Sequence, residues 1–253
     1  MASNSTQYFS GNGDVYFAEK NELGRPEGGL VYLGNCKQFT INPQVDRKEH
    51  RETSSGLGSI DEIFEDNNRL EVSGTFCNFS PENLDLYLYG KSMTVPAATI
   101  TAEAQKAYLG RNILTDKPIG SGLTVTDAGG ATTYVAGTDY LQRKSNIIYI
   151  PNTGSAITDA QDVELNYDSP EHRNTTAFTK LNTNKYFVID GLNRAGSKQK
   201  VRIEIYKTRL DPTAALELIN DDFAEYELSG MGLYDNCFEN DEQFGAFMRV
   251  INI

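Results

Sequence analysis

The sequence contains no tryptophan, three cysteines and two histidines in 253 residues. Scarce histidine leaves little material for imidazole-based metal centres or acid–base pairs. His50 and His172 lie far apart in charged stretches and read as surface residues. Cys36, Cys77 and Cys237 show no C-x-x-C spacing and are too scattered for a disulfide framework, so they read as buried thiols. No run approaches the roughly 18 apolar residues of a membrane-spanning helix. The start, MASNSTQYFSGNGDVYFAEK, has no apolar core behind a basic segment, so the expectation is a soluble chain not exported by the usual signal. Cations are also few: 23 Lys and Arg stand against 35 Asp and Glu, a net charge of −12. Tight nucleic-acid binding needs a basic face to displace counterions, and that class is disfavoured.

Catalytic punctuation is missing too. There is no G-x-S-x-G, H-E-x-x-H or Walker sequence. Gly56-Leu57-Gly58-Ser59 does not join a strand to a helix, so it makes no phosphate cradle. The pairs Asp61-Glu62, Glu65-Asp66 and Asp221-Asp222 lack the ligand spacing of a calcium loop and read as hydrated or capping groups. The expectation is therefore no enzyme, no cofactor and no metal.

What the chain does have is β texture, with 22 glycines, 14 tyrosines and 39% hydrophobic residues. Residues 186–189 form an apolar run before the turn Asp190-Gly191, and Val201, Ile203 and Ile205 alternate with Arg202, Glu204 and Tyr206. Together they predict a hairpin. Asp211-Pro212 supplies a cap and a first-turn proline for a helix over 213–219, with Asn220 as its left-handed stop. Glu225, Glu227 and Ser229 then alternate with Ala224, Tyr226 and Leu228 in another strand. Earlier, 14–18, 31–41 and 70–79 read as strands, and Ser80-Pro81 opens a second short helix stopped by Gly90. The repeated order of strand, Ser/Asp-Pro and helix hints at a duplicated half-unit. Residues 244–253 predict a last strand.

Two stretches stand apart. Residues 42–69 are highly charged, with one apolar patch at Ile60, Ile63 and Phe64, and read as a long loop. A connection of that length is either a solvated loop or an arm that folds against a partner. From 96 to 170 the texture turns to Thr, Ala, Gly and Val with strands expected at 97–101, 105–109, 122–127, 131–135, 145–150 and 161–167. This reads as a small all-β module inserted into a discontinuous domain of 1–95 and 171–253. Glu71, Glu204, Glu225 and Glu227 sit on the wet faces of predicted strands, and exposed strand edges need a covering partner.

VYLGNCKQFTINPQ, RLEVSGTFCNFSPENLDLYLYG and YFVIDGLN…KVRIEIYKTRLDPTAALELINDDFAEYELSGMGLYD resemble, in order and texture, the major tail tube protein of long-tailed, siphovirus-like bacteriophages. The resemblance covers about 1–95 and 171–253. It implies a mainly β fold, a β-sandwich with short flanking helices that forms a barrel when hexameric rings assemble and stack. It implies a tape-measure protein inside the tube, terminator and baseplate or distal tail proteins at its ends, and DNA passing through without specific binding. Assembly would occur in the host cytoplasm, with no membrane insertion, and the product would be a virion component. Carried over, Glu71, Glu204, Glu225 and Glu227 become candidates for the channel lining. Asp46, Arg47, Lys48, Glu49, Arg51, Ile60, Ile63 and Phe64 become candidates for a loop reaching another subunit. The 96–170 module is no fixed part of that family and would decorate the outside. Two other readings are a tube protein of a related contractile or secretion machine, and a carbohydrate-binding adhesin using Tyr108, Tyr134, Tyr140 and Tyr149.

Overall fold

The structure is a computed structural model that describes residues 9–144, 146–181, 183–195, 198–213, 215–219, 221–239 and 241–253. It divides into two compact units, one of residues 1–92 with 175–253 and one of 93–174. The protein is mainly β, with several antiparallel sheets and no closed barrel among the described residues.

In chain order the first unit contributes β1 (Gly11–Lys20), β2 (Pro26–Tyr32), β3 (Cys36–Arg51), β4 (Ile60–Phe76) and helix α1 (Pro81–Tyr87). Then come β5 (Lys91–Val95), β6 (Ala98–Ala107), β7 (Asn112–Ile113), β8 (Ser121–Asp127), β9 (Leu141–Gln142), β10 (Ile148–Tyr149), β11 (Gln161–Ser169) and β12 (His172–Thr176). The chain closes with β13 (Lys185–Asn193), β14 (Lys200–Leu210), β15 (Tyr226–Gly232) and β16 (Met248–Asn252). The large sheet runs β2-β1-β13-β14-β15-β4-β3, with β16 pairing β14 off that path. In the unit 93–174, β6-β11-β8 and β7-β10-β9 form two small sheets around a core that includes Val125, Ile148, Ile150 and Leu165. β5 and β12 pair as a separate two-stranded sheet.

The large sheet folds over one core. Val15, Phe17, Phe187 and Ile205 from β1, β13 and β14 meet Leu70, Val72, Phe76 and Leu228 from β4 and β15. Phe187 is fully buried, with ring centroids 6.5 Å from Phe17 and 6.3 Å from Phe39. Truncating such a side chain to Ala typically costs about 3–5 kcal/mol.

Helix α1 forms where the Ser-Pro signal places it. The Ser80 side chain accepts from the Asn83 amide at 3.2 Å and Pro81 opens the first turn. Tyr89, at φ +48°, takes the left-handed position, and the Gly90 amide donates back to the Asp85 carbonyl at 2.9 Å. Gly90 is needed for a different reason: a Cβ there would lie 2.1 Å from the Thr176 carbonyl oxygen. Seven residues do not hold a helix in isolation. Burial of Leu86 and Tyr87, with Tyr87 stacked on Tyr226 at 5.5 Å, supplies what propensity cannot.

Several expectations are corrected. Residues 213–219 are not helical in the described residues, although the cap sequence matches that of α1; Asn220 lies outside them. Leu218 and Ile219 remain exposed, so no buried stripe holds a helix there. The long strand expected at 31–41 is split at Gly34, whose φ of +94° and contact with Asn78 break the ladder. Residues 42–69 are strand, not loop, apart from the tip 52–59. The strands expected at 97–101 and 105–109 are one, β6, kinked at Ala102 with φ +52°. Residues 131–135 contribute an isolated bridge at Thr133, and the last strand begins at Met248. Cys36 and Cys77 are half-buried and Cys237 is exposed, so the buried-thiol reading fails.

A second, smaller core lies on the other face of β13 and β14, where Tyr186, Val188 and Tyr206 are covered by Phe238 and Phe244. Phe244 stacks on Phe238 at 5.0 Å, and the Arg249 guanidinium sits 4.0 Å from its ring centroid. Beneath them Glu204, 6% exposed, accepts from Arg249 Nε at 2.8 Å and from the Tyr186 hydroxyl at 2.9 Å, with Arg202 Nε 3.0 Å away. Burial pushes this carboxyl up, but those donors and the two arginine charges outweigh it and hold it below the ordinary 4.5. The carboxylate is therefore favoured in the folded chain. Its contribution is full above pH 4.5 and is lost as pH falls through the lower folded value. Glu204→Gln is expected to destabilise the chain by about 1–3 kcal/mol at pH 7. In thermal melts the gap to the native protein should shrink below pH 4.5; a gap independent of pH would refute the charge-based account.

Candidate assembly surface

The register of β3, β4 and β15 builds a polar face. Thr40 stands opposite Ser73 and Ser73 opposite Ser229; Gln38 aligns with Thr75 and Thr75 with Glu227; Asn42 aligns with Glu71 and Glu71 with Met231. The alternate residues Phe39, Ile41, Leu70, Val72, Phe76 and Leu228 turn inward to the core. Period-2 alternation thus separates a wet face from a packed one. Close strand spacing is helped by Gly230, where a Cβ would meet the Arg209 carbonyl oxygen at 2.6 Å. The wet side carries the carboxylates Glu71 and Glu227, and Asn42 Nδ2 donates to Glu71 at 3.4 Å. None of these positions is Lys or Arg; Arg69, the next residue on the same face of β4, and Arg209, opposite Met231 on β14, border them.

The four glutamates singled out by alternation separate into three environments. Glu71 and Glu227 share the polar face just described. Glu225 lies before β15 and pairs with Lys37 at the start of β3. Glu204 does not lie on a wet face at all. It is enclosed by Tyr186 and Arg249, because Phe238, Phe244 and Arg249 come over this face of β13 and β14, a packing that local alternation cannot reveal.

The charged stretch is an arm. Pairing of β4 with β15 stops at Leu70 opposite Gly232, while β3 and β4 continue together to Arg51 opposite Ile60. Residues 60–69 therefore extend past the sheet body by roughly 30 Å, at about 3.3 Å per residue. Cross-strand ion pairs line the ribbon, Arg47 with Glu65 at 3.4 Å, Lys48 with Asp66 at 2.7 Å and Arg69 with Asp46 at 3.2 Å, and His50 Nδ1 lies within hydrogen-bond distance of Asp61 at 2.6 Å. Glu49 pairs with Arg51 along the same strand at 3.5 Å. At the tip the Glu52 carboxylate accepts from the Ser55 hydroxyl and from the amides of Ser55 and Ser54, which holds its carboxyl at about 2. Ile60, Ile63 and Phe64 are all exposed, Phe64 to 62%. A two-stranded ribbon with no buried face is marginal by itself, and its free edges invite a partner.

A loop reading missed this arm because hydrophobic alternation needs a buried face. A usable signal was present: basic residues at 47–51 mirror acidic ones at 61–66 across the Gly56-Leu57-Gly58 tip. Glu65 and Asp66 are in ion pairs and Asp61 is hydrogen-bonded to His50, and no three His, Cys, Asp or Glu side chains are placed to hold a metal among the described residues. In the 93–174 unit, Tyr134 and Tyr140 are buried in the core rather than available for stacking on a sugar. Tyr108 and Tyr149 each have an arginine over the ring, Arg111 at 5.4 Å and Arg143 at 4.5 Å, and Tyr108 remains exposed.

A family model described as "Protein of unknown function UCP028589" matches residues 8–251. No curated protein matches the chain.

The arm makes a direct stability prediction. Asp46 pairs with Asp66, so replacing 47–65 by an Asn-Gly turn leaves the remaining hairpin in register. The shortened chain should melt within a few degrees of the native one, since exposed positions contribute little. A large fall in melting temperature would mean that the arm packs against the body.

Proposed function

Since the match spans residues 8–251, the chain belongs to this family of unknown function, and we propose that it is a tail tube subunit of a siphovirus-like bacteriophage. In this reading it is a structural, non-catalytic virion protein. It polymerises as stacked hexameric rings around a tape-measure protein, bounded by terminator and distal tail proteins, and later conducts DNA to the host.

One observation carries the reading: a sheet with an uncovered polar, acid-bearing face ends in a strand, β3, whose outer edge is unpaired among the described residues. Joining such an edge head to tail with another copy removes the exposed hydrogen-bonding groups, and a heterologous contact that closes makes a ring. The face would then line a bore. Duplex DNA carries a charge per roughly 1.7 Å of axis, so Glu71 and Glu227 would repel it and prevent sticking during passage. Glu204 contributes nothing to that lining, since it is enclosed in the subunit. The adhesin alternative is weakened by the burial of Tyr134 and Tyr140.

Negative-stain electron microscopy of the purified, concentrated protein should show rings or hollow tubes with sixfold top views. Monomer at all concentrations would count against the reading. The double variant Glu71→Lys, Glu227→Lys should assemble normally yet slow DNA delivery. Unchanged infectivity would remove the acidic lining from the mechanism while leaving the tube itself standing.

A further inference from the structure

Along β1, Tyr16 alternates with Val15 and Phe17, and along β13 Val188 alternates with Phe187 and Ile189, so Tyr16 and Val188 turn away from the main core. On that face, beside the second core, lies an open trough of roughly 600 Å³. Its size is that of an ordinary small-molecule cleft. Tyr16 and Val188 lie in its floor, with the exposed side chains of Leu30 and Ile253 at its sides. The Tyr16 ring is held against Tyr32, with centroids 5.5 Å apart.

Three cations line this trough: Arg25, Lys200 and Arg202. Among the described residues neither Arg25 nor Lys200 has a carboxylate at ion-pair distance. The Arg25 guanidinium sits over Phe244 and Phe238, 4.6 and 5.2 Å from their ring centroids, which fixes its place without supplying an acceptor for its N–H groups. Arg202 is oriented by the enclosed Glu204, whose Oε1 lies 3.0 Å from Nε, while the other oxygen of Glu204 is taken by Arg249 at 2.8 Å. One carboxylate therefore serves two guanidiniums. The remaining acid of the lining is Asp190, exposed and opposite Arg202 in the strand register. Counting Arg249, four cations meet two side-chain carboxylates here, in a chain of net charge −12.

Guanidinium groups fixed by packing and short of acceptors are suited to an oxyanion. Tyr16 offers an aromatic face to a ring laid on it, and Asp190 offers an acceptor for hydroxyl groups, a pairing that fits a polyhydroxy body better than a wholly apolar one. We infer that this trough binds an acidic saccharide, with its carboxylate or phosphate taken by Arg25, Lys200 and Arg202 and its ring set on Tyr16. The site does not depend on self-assembly, and it can be measured on the unassembled chain.

The test is saturation-transfer NMR on the dilute full chain with glucuronate, glucose 6-phosphate, glucose and inorganic phosphate as probes. Saturation should pass to the ring protons of the two acids and not to those of glucose. Inorganic phosphate should displace the acids only at about tenfold higher concentration or more. No transfer to either acid would overturn the proposal, and so would equal transfer to glucose. Displacement by phosphate at equal concentration would also refute it, since the sugar ring would then add nothing. Lys200→Glu, at an exposed position, should weaken binding of both acids by about tenfold with the melting temperature unchanged. Arg25→Gln should weaken it by a similar factor. Undiminished binding by Lys200→Glu would place the acids elsewhere and overturn the site.

Discussion

The hydrogen-bonding capacity of β14 constrains everything around it. One edge pairs with β13, from Lys185 opposite Thr208 to Leu192 opposite Lys200. The other edge is divided, serving β16 over 201–205 and β15 over 208–210. A strand edge serves one partner at a time, so β15 leaves β14 after three paired residues and the β15-β4-β3 half diverges from the β1-β13 half. The two halves then face each other across Phe187, Phe39 and Phe76 instead of continuing as a flat sheet. The same divergence leaves the mouth between β3 and β13 open. The core follows from how β14 shares its edge.

Charge is organised in the same way, by what each region must face. On the arm, cation and anion alternate across the ribbon, but surface pairs of this kind contribute little each. The arm's path is set by the continuous backbone ladder of β3 and β4, in which Asp46 stands opposite Asp66 and each of these carboxylates is paired with a neighbouring cation, Arg69 and Lys48. On the polar face, by contrast, Glu71 and Glu227 stand without cross-strand cations. Where a carboxylate must be enclosed, as at Glu204, two arginines and a tyrosine hydroxyl surround it. An unpaired buried charge would be far more costly.

Comparison of two similar signals shows how far local chemistry reaches. Ser80-Pro81 and Asp211-Pro212 carry equivalent capping information, and only the first starts a helix in the described residues. The difference lies in Leu86 and Tyr87, which find the core, against Leu218 and Ile219, which remain in water. Alternation was readable at Val201 and Ile205 and again along β15, because both strands bury one face. It was silent for the distal halves of β3 and β4, where neither face is buried. The candidate face was legible to the same degree: Glu71 and Glu227 could be placed on a wet surface from their own strands. Glu204 could not, since its covering residues, Phe244 and Arg249, lie some forty positions away in sequence.

The amino-acid sequence by itself therefore determined the mainly β character, the capped helix α1, the alternating faces of the central strands and the acidity of the whole. These depend on neighbours within a few residues: backbone propensity, side-chain period and cap chemistry. Tertiary structure decided that 42–69 is a projecting ribbon, that 211–213 and 215–219 stay irregular and that Glu204 is enclosed. Each of those outcomes depends on which distant strand occupies an edge or covers a face. Hydrogen-bond pairing and burial between remote segments are properties of the folded arrangement, and of these outcomes only the ribbon left a trace in the sequence, the opposed charges at 47–51 and 61–66.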